Sequence, residues 1–313
     1  MTALNSAHGG PGWQPRTGSL RDEIGTHWAT CGVTSEVGTL RHVLLCHPCP
    51  AIEGMDNPAE ALWDAFPDLT LLHEQHAALA AAYERFGVRV SYIEHDGLGT
   101  PNLHFCRDHF FMTPQGAVVS RMGSAARAGE ERHSAAALAR VGVPILLTVH
   151  GEGTFEAADI FYLAGGVVLV ARGMRSNDEG CRQVARLLSE LGLQPQIVEM
   201  PHGTGHLDGG LTIVDRRKAI ARPYHCPLRA YETLRRLGYD IMEAPDEGET
   251  ACGAALNLVP LAPGVVLMPG GNPRTRRALE DWGIEVHEAG VAELFKGGGS
   301  VHCMTGVIAR DPA

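Results

Sequence analysis

The chain has 313 residues, 44% of them apolar and 20% charged, with a formal net charge of −10 and a mean hydropathy of −0.05. This is the balance of a globular protein long enough to bury a sizeable core. The negative charge speaks against a nucleic-acid surface and for a cationic or neutral small partner, and no apolar run approaches the roughly 18 to 20 residues that span a bilayer.

Residues 1–36 read as a flexible leader. They lack the apolar stretch of a secretory signal, and Gly9-Gly10-Pro11-Gly12 is rich in turn formers. Residues 37–313 read as one domain. The cysteines, Cys31, Cys46, Cys49, Cys106, Cys181, Cys226, Cys252 and Cys303, are expected to be reduced thiols of a cytoplasmic protein, since no secretory segment accompanies them.

Along the domain a helix-like segment ends in glycine five times, and a short apolar strand follows at once. The junctions are Phe86-Gly87-Val88-Arg89-Val90, Val141-Gly142-Val143-Pro144-Ile145, Leu191-Gly192-Leu193, Leu237-Gly238-Tyr239-Asp240-Ile241 and Trp282-Gly283-Ile284-Glu285-Val286. Glycine there suits a left-handed C-cap that turns the chain from helix to strand. The helices are expected over residues 58–86, 124–141, 177–191, 227–237 and 273–282. The third shows the i, i+3, i+4 spacing clearly, in Cys181, Val184, Leu187, Leu188 and Leu191, with Asn177 as its N-cap. Hairpin patterns lie upstream of four helices, at residues 110–119, 160–170, 211–220 and 256–268. The last strand, 301–309, has no helix after it, and the first, 40–45, has no hairpin partner before it. Pairing these two completes a fifth unit and closes a ring. The expected fold is therefore α/β, a five-bladed propeller of ββαβ repeats around a pseudo-fivefold axis.

In such a ring equivalent strand ends converge on the centre, and polar residues recur at one place in successive units. They are Arg107-Asp108 before the second hairpin, Glu156 and Asp159 before the third, His206-Leu207-Asp208 before the fourth, and Cys303 on the closing strand. Each enters a strand that otherwise reads as core, where an unpaired charge is costly. Taken singly, each could be a surface carboxylate or a satisfied histidine; the shared position marks them as a set.

Cys106-Arg107-Asp108, Phe155-Glu156-Ala157-Ala158-Asp159, Arg175-Ser176-Asn177, Gly205-His206-Leu207-Asp208 and Gly297-Gly298-Gly299-Ser300-Val301-His302-Cys303 follow one another in this order. Over roughly residues 36–311 the chain resembles the pentein, or guanidino-group-modifying, superfamily. That superfamily holds arginine deiminases, dimethylarginine dimethylaminohydrolases, agmatine deiminases and amidinotransferases. The resemblance implies that the thiol of Cys303 attacks a guanidinium carbon while His206 serves as acid and then base. It implies that Asp108 and Glu156 hold the guanidinium nitrogens, with Glu156 counted in the catalytic set. Asp208 would orient the substrate or the histidine, and Asp159 and Arg107 would lie on the substrate side. Arg175 would meet a substrate carboxylate or serve the architecture. No metal and no organic cofactor is implied.

Within the superfamily the chain mixes features. Deiminases and dimethylarginine hydrolases usually carry Glu-Gly-Gly-Asp where this chain has Glu156-Ala157-Ala158-Asp159, a form more like glycine amidinotransferase. The compact length, Phe111-Met112-Thr113-Pro114 and Gly129-Glu130-Glu131-Arg132 look more like the short hydrolases related to dimethylargininase. The leading expectation is hydrolysis of a C–N bond in arginine or an arginine derivative; the alternative is amidino transfer to an acceptor amine. Two remote alternatives stand beside these. One is a non-catalytic binding ring. The other is a redox or metal role for Cys46-His47-Pro48-Cys49, disfavoured because residues 50–54 do not read as a helix and no second Cys-x-x-Cys exists. A small guanidino molecule is thus the expected partner, with no nucleic acid and no membrane, and pairing of two rings into a homodimer stays open.

Overall fold

The computed structural model describes residues 4–95 and 100–312; residues 1–3 of the expected leader lie outside them. The described part of the leader contains a 3-10 turn, Ser6–His8, and one α-helical turn, α1 (Leu20–Glu23), held by a capping box between Ser19 and Asp22. Its later part is docked on the ring, with Ala29 N–H donating to Gly142 O at 2.9 Å and Gly32 N–H to Ile308 O at 2.9 Å.

From β1 (Leu40–Cys46) onward the chain repeats one unit. After β1 come α2 (Leu69–Arg85) and β2 (Arg89–Ile93), then β3 (Phe110–Thr113), β4 (Gly116–Val119), α3 (Glu131–Arg140) and β5 (Ile145–Thr148). The third unit is β6 (Ile160–Tyr162), β7 (Val167–Arg172), α4 (Asp178–Glu190) and β8 (Gln194–Glu199). The fourth is β9 (Leu211–Asp215), β10 (Lys218–Ala221), α5 (Leu228–Arg236) and β11 (Asp240–Glu243), followed by α6 (Glu247–Gly253). The fifth is β12 (Val259–Ala262), β13 (Val265–Pro269), α7 (Pro273–Asp281) and β14 (Glu285–Ala289). After it, α8 (Ala292–Phe295) leads to β15 (Gly306–Arg310).

The strands form five three-stranded sheets, and β15 joins the first of them in the order β15-β1-β2. Each sheet pairs its first two strands antiparallel and its second and third parallel across the helix. The chain is a five-bladed α/β propeller, closed by the pairing of its two ends. β3, β4 and β6 are buried throughout, whereas β5, β8 and β11 are only partly buried. Strands covered on both faces need continuous apolar runs, which is why the inner hairpins stand out in the sequence.

All five junction glycines, Gly87, Gly142, Gly192, Gly238 and Gly283, have positive φ, between 70° and 81°. Other expected bounds are corrected. The helix expected over 58–86 starts only at Leu69, because Pro58–Ala61 forms a separate 3-10 turn ended by the left-handed Leu62, and Asp68 caps the helix proper through Leu71 N–H. The helix expected from 124 likewise starts at Glu131, after Gly129 at φ 90° breaks it from the turn Ala125–Arg127. The last strand is shorter than expected. Residues 301–304 form a helical turn, closed by Met304 N–H to Ser300 O and Thr305 N–H to His302 O, so Cys303 precedes β15 instead of lying on it. Among the described residues no helix is long and apolar enough to cross a membrane.

A Cβ added at Gly192 meets nothing within 4 Å, so Gly192→Ala tests backbone conformation alone. The variant is expected to lose about 1–2 kcal/mol in denaturant unfolding, and Gly192→Asn less, since Asn tolerates the left-handed region better.

Candidate active site

The first strand of each successive blade is entered through a tight turn. Cys106–Asp108 precedes β3, Ala157–Asp159 precedes β6, and Leu207–Gly209 precedes β9. The turn at 301–304 does the same for β15. The turns bring Asp108, His206, Asp208 and Cys303 onto one cavity of about 290 Å³, lined also by Phe105, Arg127, Arg175 and Asn257. Backbone contacts tie neighbouring turns together, as where Arg107 N–H donates to Cys303 O at 2.9 Å.

Glu156 is fully buried and meets His206 at 2.7 Å between Oε2 and Nε2. Its Oε1 accepts from Gly123 N–H at 2.9 Å, and Arg175 Nη1 lies 3.2 Å from Oε2. Burial by itself would raise this carboxyl, but the hydrogen bond and charge of His206, with Arg127 and Arg175, hold it well below the usual carboxylate range. For His206 burial works against the charged form, and Asp108, Glu156 and Asp159 overcome it, raising the imidazole from 6.5 to about 10. His206 is therefore an imidazolium at neutral pH.

Asp108 is held on one side only. Arg127 Nη1 donates to its Oδ2 at 2.5 Å, while its Oδ1 is buried without a hydrogen-bond partner. Arg127 is fixed in turn by Glu130 at 2.8 Å, and Glu130 by His109 at 3.0 Å. Opposite, Asp208 Oδ2 accepts from His302 Nδ1 at 2.8 Å and lies 3.9 Å from Cys303 Sγ. Burial favours the neutral Asp208 carboxyl, but the His302 hydrogen bond prevails and lowers it.

The glycine run before Cys303 has a steric cause. A Cβ at Gly299 would stand 2.3 Å from the Phe105 ring and one at Gly297 2.8 Å from Trp63, while Gly298 has φ 76°. The backbone thus runs hard against the aromatic wall and delivers Cys303 to the cavity floor. Burial first, then Asp208 and Asp108, pushes the Cys303 thiol far above its ordinary value. In the free protein it is a neutral thiol.

Of the residues marked in the sequence, Cys303, His206, Asp108, Asp208 and Arg175 line the cavity, and Glu156 sits directly behind His206. Two are placed elsewhere. Asp159 is fully buried under Ser176 Oγ at 2.5 Å and Leu207 N–H at 3.0 Å, where burial raises it to about 7. The Arg107 guanidinium turns away, donating to Ile160 O at 2.7 Å and lining a separate small space with Glu36 and Arg310. Arg127 and Asn257 line the cavity without having been singled out; Arg127 lies just before Gly129-Glu130, and Asn257 follows an unremarkable Ala-Ala-Leu.

Ligand atoms of Asp108, Glu156 and His206 lie within 4.8 Å of one another, a spacing a metal ion could use. A metal ligated by His206 would have to displace the proton that Asp108 and Glu156 hold on the imidazole. At the other candidate motif, residues 50–54, expected to be non-helical, form a 3-10 helix with Cys49 at its N-cap. Cys46, however, is buried, which raises its thiol, opposite to what an activated redox cysteine requires.

The family model described as arginine deiminase matches residues 99–236 and 232–310. The chain is 27% identical over 255 residues to an N(G),N(G)-dimethylarginine dimethylaminohydrolase of Pseudomonas aeruginosa, covering 79% of this chain and 95% of that one. Among solved structures, a dimethylarginine dimethylaminohydrolase adduct with 4-chloro-2-hydroxymethylpyridine superposes with a TM-score of 0.71 at 25% identity, over 86% of this chain and all of that one. The inosamine-phosphate amidinotransferase of Streptomyces griseus shares the fold, at TM-score 0.72 and 17% identity over 91% of this chain and 98% of that one.

The His206–Glu156 pair carries a pH signature. Because the folded His206 value, about 10, lies above its ordinary 6.5, its contribution is complete below 6.5 and is lost as pH rises through 10. His206→Ala is expected to cost about 3–5 kcal/mol near pH 6, by leaving Glu156 buried without its closest cation. The gap to the wild type should narrow between pH 6.5 and 10, as read by urea unfolding at each pH.

Proposed function

The chain belongs to the arginine deiminase family, and we propose from that premise that it hydrolyses the guanidino group of arginine or an arginine derivative through an amidino intermediate on Cys303. Its class, a guanidino-modifying enzyme of the hydrolase and amidinotransferase type, follows from that membership. The observation that carries the finer reading is the single cavity onto which the Cys303 thiol, the His206 imidazolium and the Asp108 and Asp208 carboxylates all open.

A planar guanidinium offers N–H donors in a fixed fork. The unpaired Asp108 Oδ1 and the Asp208 carboxylate are the acceptors for it, and Arg175 is the cation for a carboxylate at the far end of the substrate. Burial is the first thing that keeps Cys303 protonated, and binding a cation between Asp108 and Asp208 cancels the negative charges that add to it. The thiol then loses its proton to water and the thiolate attacks the guanidino carbon, forming the C–S bond. His206 gives its proton to the departing nitrogen as the C–N bond breaks, and ammonia or an alkylamine leaves. Now neutral, His206 takes a proton from water as its oxygen adds to the same carbon. Cleavage of the C–S bond releases a ureido product and returns the thiol.

Hydrolysis is favoured by the Pseudomonas relative, matched over almost its whole length and named for removal of dimethylamine. Phe155-Glu156-Ala157-Ala158-Asp159 supports the second reading, in which an amine replaces water in the last step.

Incubation with arginine, N-methylated arginines and agmatine, with and without acceptor amines, and mass analysis of the products tests both readings. A ureido product without acceptor is expected. Cys303→Ala should lower turnover by at least about 10³-fold, and kcat/KM should fall as pH approaches about 10 and His206 loses its proton. Product formed only with an acceptor would make the chain a transferase, and full activity in Cys303→Ala would remove the nucleophile.

A further inference from the structure

We propose that Asn257 is a positioning residue of this reaction, whose carboxamide holds the Cys303 sulfur toward the cavity and hydrogen-bonds it when it becomes the thiolate. The inference rests on the reading of Cys303 as nucleophile.

The repeat points to this residue. Four blades place Asp108, Glu156, the His206–Asp208 turn and Cys303 immediately before their first strand. The equivalent place in the remaining blade, just before β12, is held by Asn257. It has no charge and no motif around it, yet it lines the same cavity. Ala254, ending α6 in the left-handed region at φ 51° and ψ 36°, turns the chain toward the cavity, and Asn257 N–H closes that turn on Ala254 O at 2.8 Å. A non-glycine residue held there is strained, and such strain is retained where the surroundings require the direction it gives.

The hydrogen bonds determine how the carboxamide faces. Its Oδ1 accepts from two successive backbone donors, His302 N–H at 2.9 Å and Cys303 N–H at 3.2 Å. A flipped amide would set its NH₂ against both of them, so the orientation is fixed by the turn itself. Nδ2 then stands 3.0 Å from Cys303 Sγ as a donor. One side chain thus grips the backbone and the sulfur of the same residue.

The charged and titratable groups around the sulfur otherwise disfavour its anion or are spoken for. Asp208 and Asp108 come from the turns before β9 and β3. His302, on the sulfur's own turn, is bound to Asp208, and His206 is bound to Glu156. Arg127 and Arg175 line the cavity but are engaged by Asp108 and Glu156. Asn257 and the Ser300 backbone act on the sulfur in the opposite sense.

The test uses the full chain as wild type, Asn257→Asp and Asn257→Ala. Alkylation of Cys303 by iodoacetamide is followed against pH by peptide mass, beside kcat, KM and thermal melting. Asn257→Asp keeps the size of the side chain and an oxygen for the two backbone donors, but turns a second oxygen on the sulfur. In both variants the pH midpoint of alkylation should rise by about one unit or more, and kcat should fall about 10- to 100-fold, the worth of a hydrogen bond to a charged group. KM should stay within about threefold, because the carboxamide is engaged by the 302–303 backbone and the sulfur. An unchanged midpoint in both variants overturns the proposal, even if melting temperature or kcat falls, since that pattern marks a structural role. A wild-type chain inactive on every guanidine defeats the function proposed above instead, and the alkylation midpoints then still decide whether Asn257 acts on the sulfur.

Discussion

Carboxylates taken out of water must be neutralised or they protonate, since an unpaired buried charge costs several kcal/mol. At one end of this ring Asp108, Glu130, Glu156, Asp159 and Asp208 are all buried. Arg127 and the proton on His206 answer most of that charge, Asp208 is hydrogen-bonded by His302 Nδ1, and Asp159 is pushed toward its neutral form. What is left over is one buried oxygen of Asp108 and a thiol held neutral by burial first and by its anionic neighbours second. A cavity in that condition has a deficit of positive charge that a planar cation with several donors can fill. On the proposed mechanism, recognition of the substrate and activation of the nucleophile would be the same electrostatic event.

Arg127 has a particular place in this balance. Its guanidinium joins Asp108 at 2.5 Å and Glu130 at 2.8 Å, and lies 3.8 Å from Glu156. Burial opposes its charge, and the three carboxylates more than restore it. It engages only one oxygen of Asp108, so the other remains available. Arginine suits this better than lysine because a rigid fork can serve several carboxylates without moving.

The pseudo-fivefold ring makes such a cluster accessible to a single chain. Residues as far apart as Asp108 and Cys303 meet because each occupies the same turn of a different blade. The helices, outer strands and C-cap glycines, repeated five times, do no chemistry; they set the direction in which each inner strand begins. Where a turn needs more than the repeat provides, special residues appear, as in the glycines packed against Trp63 and Phe105 and the left-handed Ala254.

Periodicity made the blades legible, because an inner strand covered on both faces must be apolar throughout and a helix must end on a residue that accepts positive φ. That Asp108, His206, Asp208 and Cys303 meet round one cavity, with Glu156 bonded to His206, was legible as well, since each stands at the same place before the first strand of its blade. The limits of the helices at Leu69 and Glu131 were not, because Leu62 and Gly129 break them through local backbone geometry that apolar spacing does not encode. Nor was the turn that carries Cys303, whose residues read as a strand until Ser300 and His302 close it. The amino-acid order by itself determined the ring, its closure and the family of chemistry, all of which depend on local pattern and repeated spacing. Only the tertiary structure decided that Arg107 faces away, that Asp159 lies buried beside the Leu207 backbone, and that Arg127 and Asn257 line the cavity. Those assignments depend on which way a side chain leaves its turn and on which charge from another blade it meets, and neither is a property of neighbouring residues in the chain.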